Sequence, residues 1–251
     1  MENFIGKVII VTGAGGGLGR ETALAFARAG ATLSLADVNG ESLAETVNRI
    51  HDLNAPEPMS TVVDLSGRAA CHNLVNDTVT QLGGLDVLCN VAGILLVDRL
   101  ENVTERDWDK TLAVNLSAPF WLSQAAIPHL LERNGNIVNV ASSGAFIGES
   151  YVVPYTATKA GIVQMTKSMA MEFIKTGIRI NAVAPGTMNT PMANPDNFPT
   201  DLDMELIQQF MPVRPPAEPA QVADLILYVA SDRAANIHGA CLLSDGGHTA
   251  G

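Results

Sequence analysis

Seven short apolar runs punctuate the chain: KVIIVTG (7–13), TLSLAD (32–37), MSTVVD (59–64), LDVLCNVAG (85–93), NIVNVAS (136–142), IRINAVAP (178–185) and ACLLSD (240–245). They are rich in Val, Ile and Leu, and several are continuous rather than alternating, as in strands covered on both faces. Amphipathic stretches lie between them at 18–29, 40–51, 68–82, 104–133, 154–175 and 219–231. Six alternations of strand and helix predict an α/β fold, a doubly wound seven-stranded parallel sheet with helices on both faces. The 251 residues fit a single domain, 1–251. One region breaks the rhythm. Seven prolines fall between Pro191 and Pro219, interspersed with Met192, Phe198, Met204 and Phe210. A helix and a last strand still follow, so this is no linker; it reads as a lid around 188–218.

The first strand runs into VTGAGGGLGRE (11–21). Glycines there remove the side chains that would block a close backbone approach, and the following helix aims its free N–H groups at an anion. A dinucleotide pyrophosphate fits, which makes the expected sheet Rossmann-like. The common G-x-G-x-x-G spacing fails in every register; the pattern present is T-G-x-x-x-G-x-G, on Thr12, Gly13, Gly17 and Gly19. Asp37 ends the second strand, where a carboxylate bonds the adenosine ribose hydroxyls. It would also repel a 2′-phosphate, and no Arg or Lys occurs at 8–19 or 29–48 to neutralise one. NAD is therefore expected over NADP.

Composition narrows the function. At 47% hydrophobic and 16% charged the chain is apolar for a soluble protein, which points to surface covered by other subunits. A net charge of −11 without a basic run argues against nucleic-acid binding. No stretch reaches the ~18 consecutive apolar residues of a membrane span, and MENFIGKVII lacks a charged n-region and a cleavage site, so a cytoplasmic location is expected. Cys71, Cys89 and Cys241 show no metal or redox spacing and read as buried reduced thiols, and the histidines show no ligand spacing, so no metal is expected.

Five further residues carry candidate chemistry. Tyr155 and Lys159 in VPYTATKAG stand at i and i+4 and share a helix face; alone, that pair fits a solvated face equally well. Asn115 lies within the 104–133 stretch, four residues before Pro119, which has no N–H. Its carbonyl loses the usual donor, which marks either a kink or a place for a bound water. Ser142 and Ser143 close the fifth strand, where ligands collect in open α/β sheets, and either has suitable chemistry.

Together these segments resemble the short-chain dehydrogenase/reductase family in its common form of about 250 residues. TGAGGGLG (12–19), Asp64, NVAG (90–93), Asn115, Ser142, YTATK (155–159) and PGTMNT (185–190) follow the family's order and spacing over nearly the whole chain. Val91 stands where the family usually has a second Asn. The resemblance implies that Tyr155 is the general acid/base, that Lys159 holds the nicotinamide ribose and lowers the tyrosine's pKa, that Ser142 polarises the substrate oxygen, and that Asn115 supports a relay water. It selects Ser142 over Ser143, leaving Ser143 as a substrate contact. The implied cofactor contacts are Gly13, Gly16, Gly17, Leu18, Gly19, Asp37, Val38, Asp64, Leu65, Asn90, Ala92, Gly93, Tyr155, Lys159, Pro185, Gly186, Met188 and Thr190. Physics supports the tyrosine's role. A free phenol titrates near 10, a cation about 4 Å away contributes roughly 4 kcal/mol, and Pro154 suits a helix first turn whose positive end adds to the effect. Desolvation opposes it.

Leu95, Leu96, Phe146, Val152, Met188, Met192 and the lid are candidate substrate-pocket walls, although each fits core or interface equally well. None offers an anchor for a carboxylate or phosphate, so a mainly apolar secondary alcohol or its ketone is expected. A polar or acyl-carrier-linked 3-oxo or 3-hydroxy substrate is the alternative, and a non-catalytic NAD-binding regulator a third reading. The resemblance also implies a homotetramer packed through helices near 104–133 and 154–175.

Overall fold

A computed structural model describes residues 3–193, 198–208, 211 and 214–250. Seven strands form one all-parallel sheet in the order β3-β2-β1-β4-β5-β6-β7. They are β1 Val8–Thr12, β2 Thr32–Asp37, β3 Met59–Val62, β4 Val87–Asn90, β5 Asn136–Val140, β6 Arg179–Pro185 and β7 Cys241–Ser244. The central strands β1, β4 and β5 are buried along their whole length, as their continuous apolar runs require. The edge strand β3 departs from that expectation: it is half covered, with Val62 exposed, because a sheet edge has helices packed less fully over it.

Helices α1 Gly17–Arg28, α2 Gly40–His51 and α8 Pro219–Ala230 bury one side of the sheet around Ile9, Phe26, Leu33 and Ile226. Helices α3 Arg68–Leu82, α5 Ala118–Arg133 and α6 Val153–Glu172 bury the other around Ile10, Leu74, Leu88 and Leu122. Each such side chain removed from water contributes about 1.5–3 kcal/mol. The strand order reverses between β1 and β4, and the carboxyl ends of those strands open a crevice there, the usual ligand position of such sheets.

The stretch 104–133 is not one regular helix. α4 (Glu105–Leu112) passes through a π-helical turn, Ala113–Ser117, before α5 begins, and the Ala118 N–H bonds the Ala113 carbonyl. Pro119 lacks the N–H that would continue the α-ladder from Asn115, so the chain widens to the π spacing just before it.

The proline-rich excursion leaves and returns at one point, where Met188 bridges Ala217 and the Asn189 N–H donates to the Ala217 carbonyl at 2.9 Å. Its described parts are a 3-10 turn at Pro191–Ala193 and the short helix α7, Met204–Gln208. Phe210 lies outside the described residues. Among the described residues no helix is long and apolar enough to cross a membrane.

Candidate active site

The wall of the crevice where a nucleotide is expected is made mostly of backbone. Gly13 sits at φ +68°, and a Cβ there would lie 2.9 Å from the Ala92 Cα. A Cβ on Gly19 would lie 1.9 Å from the Gly13 carbonyl oxygen, so only glycine lets α1 start this close to β1. Thr12 ties the ends of β1 and β4 together: its hydroxyl accepts from the Val91 and Ala92 N–H groups at 3.0 and 3.1 Å. Asp37 stands at the mouth of this cradle, accepting from the Gly15 N–H at 2.8 Å and the Asn39 N–H at 2.9 Å. Each carboxylate oxygen keeps lone-pair capacity for a further hydroxyl donor. The nearest cation in the sequence, Arg20, is engaged elsewhere, on the Gly15 and Ser42 carbonyls and Glu45.

The opposite wall is made of side chains. Ser142 follows β5 and precedes a 3-10 turn at Ser143–Ala145; its hydroxyl accepts the Gly144 N–H at 3.2 Å. Tyr155 and Lys159 project from the first turns of α6, which begins with Pro154 near its N-terminus. The Lys159 ammonium donates to the Val140 carbonyl at 2.8 Å and lies 5.6 Å from the centre of the Tyr155 ring. Lys159 is 4% exposed, and burial depresses it to about 8. That leaves it mainly charged at pH 7, with two donors to spare. Asn115, 1% exposed, clamps the segment after β4: its side chain accepts the Ile94 N–H at 2.8 Å and donates to the Ile94 carbonyl at 2.9 Å and to Thr158 at 3.3 Å.

One expectation is corrected. The Tyr155 pKa is pushed up, first by burial, with the Ser142 hydrogen bond pulling it down and Glu149 adding to the rise. Tyr155 is half-buried on the crevice wall, and the burial that depresses Lys159 also disfavours a phenolate.

The crevice brings together Gly13, Gly16, Gly17, Leu18, Gly19, Asp37, Ala92, Gly93, Ser142, Tyr155, Lys159, Pro185, Gly186, Met188, Thr190 and Met192, with Val91, Val140, Ala141 and Pro191, which sequence reasoning did not assign to it. The Thr190 methyl would contact a Cβ on Gly17 at 3.3 Å, so the lid base meets the glycine loop. Val38, Asp64, Leu65, Asn90, Ser143, Leu95, Phe146 and Val152 are not part of that lining. Val38 and Asp64 are exposed, and the Ser66 N–H holds the Asp64 carboxyl below its usual range. Leu65, Ser143 and Val152 are buried, Leu95 is half-buried and Phe146 is exposed. The Asn90 side chain turns inward, donating to Asn139 at 2.8 Å in the interior. Cys71 and Cys89 are buried free thiols, whereas Cys241 is only half-buried.

A family profile described as "Enoyl-(Acyl carrier protein) reductase" matches residues 13–249. The chain is 34% identical over 244 residues to the (2S)-[(R)-hydroxy(phenyl)methyl]succinyl-CoA dehydrogenase subunit BbsD of Thauera aromatica, covering 97% of this chain and 96% of the relative. It is 33% identical over 247 residues to the meso-2,3-butanediol dehydrogenase of Serratia marcescens, covering 98% and 96%. A short chain dehydrogenase from Mycobacterium paratuberculosis bound to NAD superposes with TM-score 0.92 at 27% identity over 99% of this chain and 100% of the other. One from Burkholderia cenocepacia J2315 in complex with NADP superposes at 0.88 and 30% identity, over 98% and 99%. The chain belongs to the short-chain dehydrogenase/reductase family.

As a member of that family the protein is an oxidoreductase with a nicotinamide-binding fold. Sequence reasoning missed two polar residues of this dehydrogenase/reductase whose charges act on the site's neighbourhood: Glu149 adds to the rise in the Tyr155 pKa, and His248 opposes the rise that burial causes in Glu149. Neither sits in a motif. Each stands in a loop where a polar residue reads as solvent-facing, and only the folding of the loop after β7 against the loop after β5 brings them together.

Proposed function

We propose that the protein is a cytoplasmic NAD(H)-dependent dehydrogenase/reductase, acting as a single catalytic domain, that interconverts a secondary alcohol and its ketone. The observation that carries this reading is the convergence of Ser142, Tyr155 and Lys159 on one wall of a crevice whose other wall is a glycine cradle with a carboxylate at its mouth. The cradle residues fit a dinucleotide: Gly13 and Gly19 let α1 start close against β1, Gly16 leaves open space where a Cβ would stand, and Asp37 keeps acceptor capacity for ribose hydroxyls. When bound, the nicotinamide supplies or accepts the hydride. Lys159 would hold its ribose and Thr190 its carboxamide, with segment 188–218 as lid.

Tyr155 exchanges a proton with the substrate oxygen, and Ser142 hydrogen-bonds that oxygen and orients it. Asn115 holds the strand end beside Lys159 and supports the relay water. Burial keeps Tyr155 protonated at pH 7, the form that donates. Ketone reduction therefore dominates near neutral pH, and alcohol oxidation gains as pH rises toward the tyrosine's raised pKa; kcat/KM measured against pH in both directions checks the sign.

NAD is preferred because a 2′-phosphate would face Asp37 while Arg20 is held by Glu45. The test is to titrate both cofactors and to assay a panel of alcohols and ketones by NADH absorbance. Equal or tighter NADP binding sinks the cofactor assignment, and activity confined to phosphorylated or highly charged substrates sinks the substrate class. A second reading, an acyl-carrier-linked or CoA-linked 3-oxo substrate, draws support from the family profile and the Thauera relative, and belongs in the same panel. We also propose a homotetramer, supported by exposed Trp108, Phe120, Val153 and Met171 on α4, α5 and α6. A monomeric mass by light scattering would refute it.

A further inference from the structure

The turn between β1 and α1 carries two adjacent glycines, Gly15 and Gly16, and the peptide between them has no side chain on either flank to stop it turning over. In the fold it is fixed from outside the turn. Gly15 is clamped at both ends: its N–H donates to Asp37 at 2.8 Å, and its carbonyl accepts from Arg20 Nη2 at 2.5 Å. A Cβ at 15 would lie 2.8 Å from the Asp37 Cγ, so only glycine admits this clamp.

Arg20 stands on α1 with its side chain 14% exposed. Its Nη2 is shared with the Ser42 carbonyl at 3.1 Å and Glu45 at 2.8 Å. Its Nε donates to the Thr46 hydroxyl at 3.0 Å, and that hydroxyl donates to the Ala14 carbonyl at 2.8 Å. One guanidinium thus fastens the turn to α2. Arg20, Ser42, Glu45 and Thr46 are not part of the crevice lining, whereas Gly16 is. A trans peptide points its carbonyl and its N–H to opposite sides, and no peptide among the described residues is cis. With the Gly15 carbonyl drawn toward Arg20 on the α2 side, the Gly16 N–H is turned the other way, toward the crevice. That N–H has no hydrogen-bond partner among the described residues, and nothing lies within 4 Å of where a Gly16 Cβ would stand.

We propose that Arg20 is a positioning residue for the cofactor: it locks the Gly15–Gly16 peptide so that the Gly16 N–H faces the pyrophosphate. This rests on the dinucleotide reading above. Arg20 does not line the crevice and shares its charge with Glu45, so it acts through the peptide that it orients rather than as a partner of the anion. A turn already fixed loses less freedom on binding than a glycine turn that the ligand must first order. The adenosine end stands apart from this lock, because Asp37 is also held by the Asn39 N–H at 2.9 Å.

The test measures binding of ADP and of adenosine by calorimetry, and of NADH by fluorescence, in the wild type, Arg20→Ala and Arg20→Lys. Loss of a hydrogen bond from a charged donor predicts ADP and NADH binding weaker by about tenfold to a hundredfold in the Ala variant, with adenosine changed by less than about twofold. The Lys variant keeps a cation that can reach the Gly15 carbonyl and should recover part of the loss. At saturating NADH kcat should change little, so that the effect appears in KM. Circular dichroism reports whether each variant is folded; if the Ala variant is not, the Lys variant decides, and its ADP affinity must fall while its adenosine affinity holds. ADP affinity unchanged in every folded variant, or equal losses for ADP and adenosine, overturns the proposal while leaving the dinucleotide reading intact. If the wild type binds neither ADP nor NADH, that reading falls and the proposal with it.

Discussion

The two walls of the crevice are built differently. The nucleotide wall, at the ends of β1 and β2, is made of backbone N–H groups and absent side chains, with one carboxylate at its mouth. The catalytic wall, at the ends of β4, β5 and β6, depends on side chains that burial pushes away from their ordinary pKa values: Lys159 down to about 8 and Tyr155 upward. A backbone cradle works by shape and survives most side-chain changes, provided no Cβ is added. A side-chain wall works by desolvation and loses function with single atoms, while some of those losses relieve the fold.

Tyr155→Phe is the sharpest test of this contrast. Removing one oxygen should cost about 10²–10⁴ in kcat, while NADH affinity by fluorescence changes little. An equal loss of both would mean that the walls do not act separately. On the nucleotide wall, Gly19→Ala places a methyl 1.9 Å from the Gly13 carbonyl oxygen. α1 must then shift, and denaturant unfolding should show a loss of about 2–3 kcal/mol together with weakened cofactor binding. Asp37→Ser removes the charge together with the acceptor for the Gly15 N–H, which lowers affinity for both cofactors; the NADP-to-NAD ratio of kcat/KM should still rise about tenfold to a hundredfold.

The smallest expected effect has the opposite sign. Lys159 titrates at about 8 in the fold against an ordinary 10.5, so between those values the unfolded chain binds more protons. Stability should therefore rise with pH across that window, and below it the buried charge is a cost. Lys159→Met should abolish turnover yet stabilise the protein at pH 7 by about 1–2 kcal/mol, part of the gain being offset by the Val140 carbonyl left without its donor. Urea unfolding at pH 7 and pH 10 checks both the gain and the disappearance of the pH dependence.

Much of the architecture was legible in advance. The unbroken apolar runs of β1, β4 and β5 announced buried parallel strands, and the Gly13–Gly17–Gly19 spacing announced a tight glycine turn where β1 runs into α1. Asn115 and Pro119 marked the place where the helix widens into a π turn. These signals are local: periodicity, a missing Cβ and a missing N–H act on near neighbours in the chain. The inward turn of Asn90 and the direction of the Tyr155 shift were not legible, because they depend on which groups share a dry space.

By itself, then, the sequence determined the sheet, its order of elements, the glycine cradle and the presence of a serine, a tyrosine and a lysine suited to hydride chemistry, since each follows from residue types at short spacings. Only the tertiary structure decided how those groups are solvated and which of them carry unspent hydrogen-bonding capacity. Burial and electrostatics are properties of neighbours in space, and His248, which follows β7, acts on Glu149, which follows β5, only when those two strand ends are folded side by side.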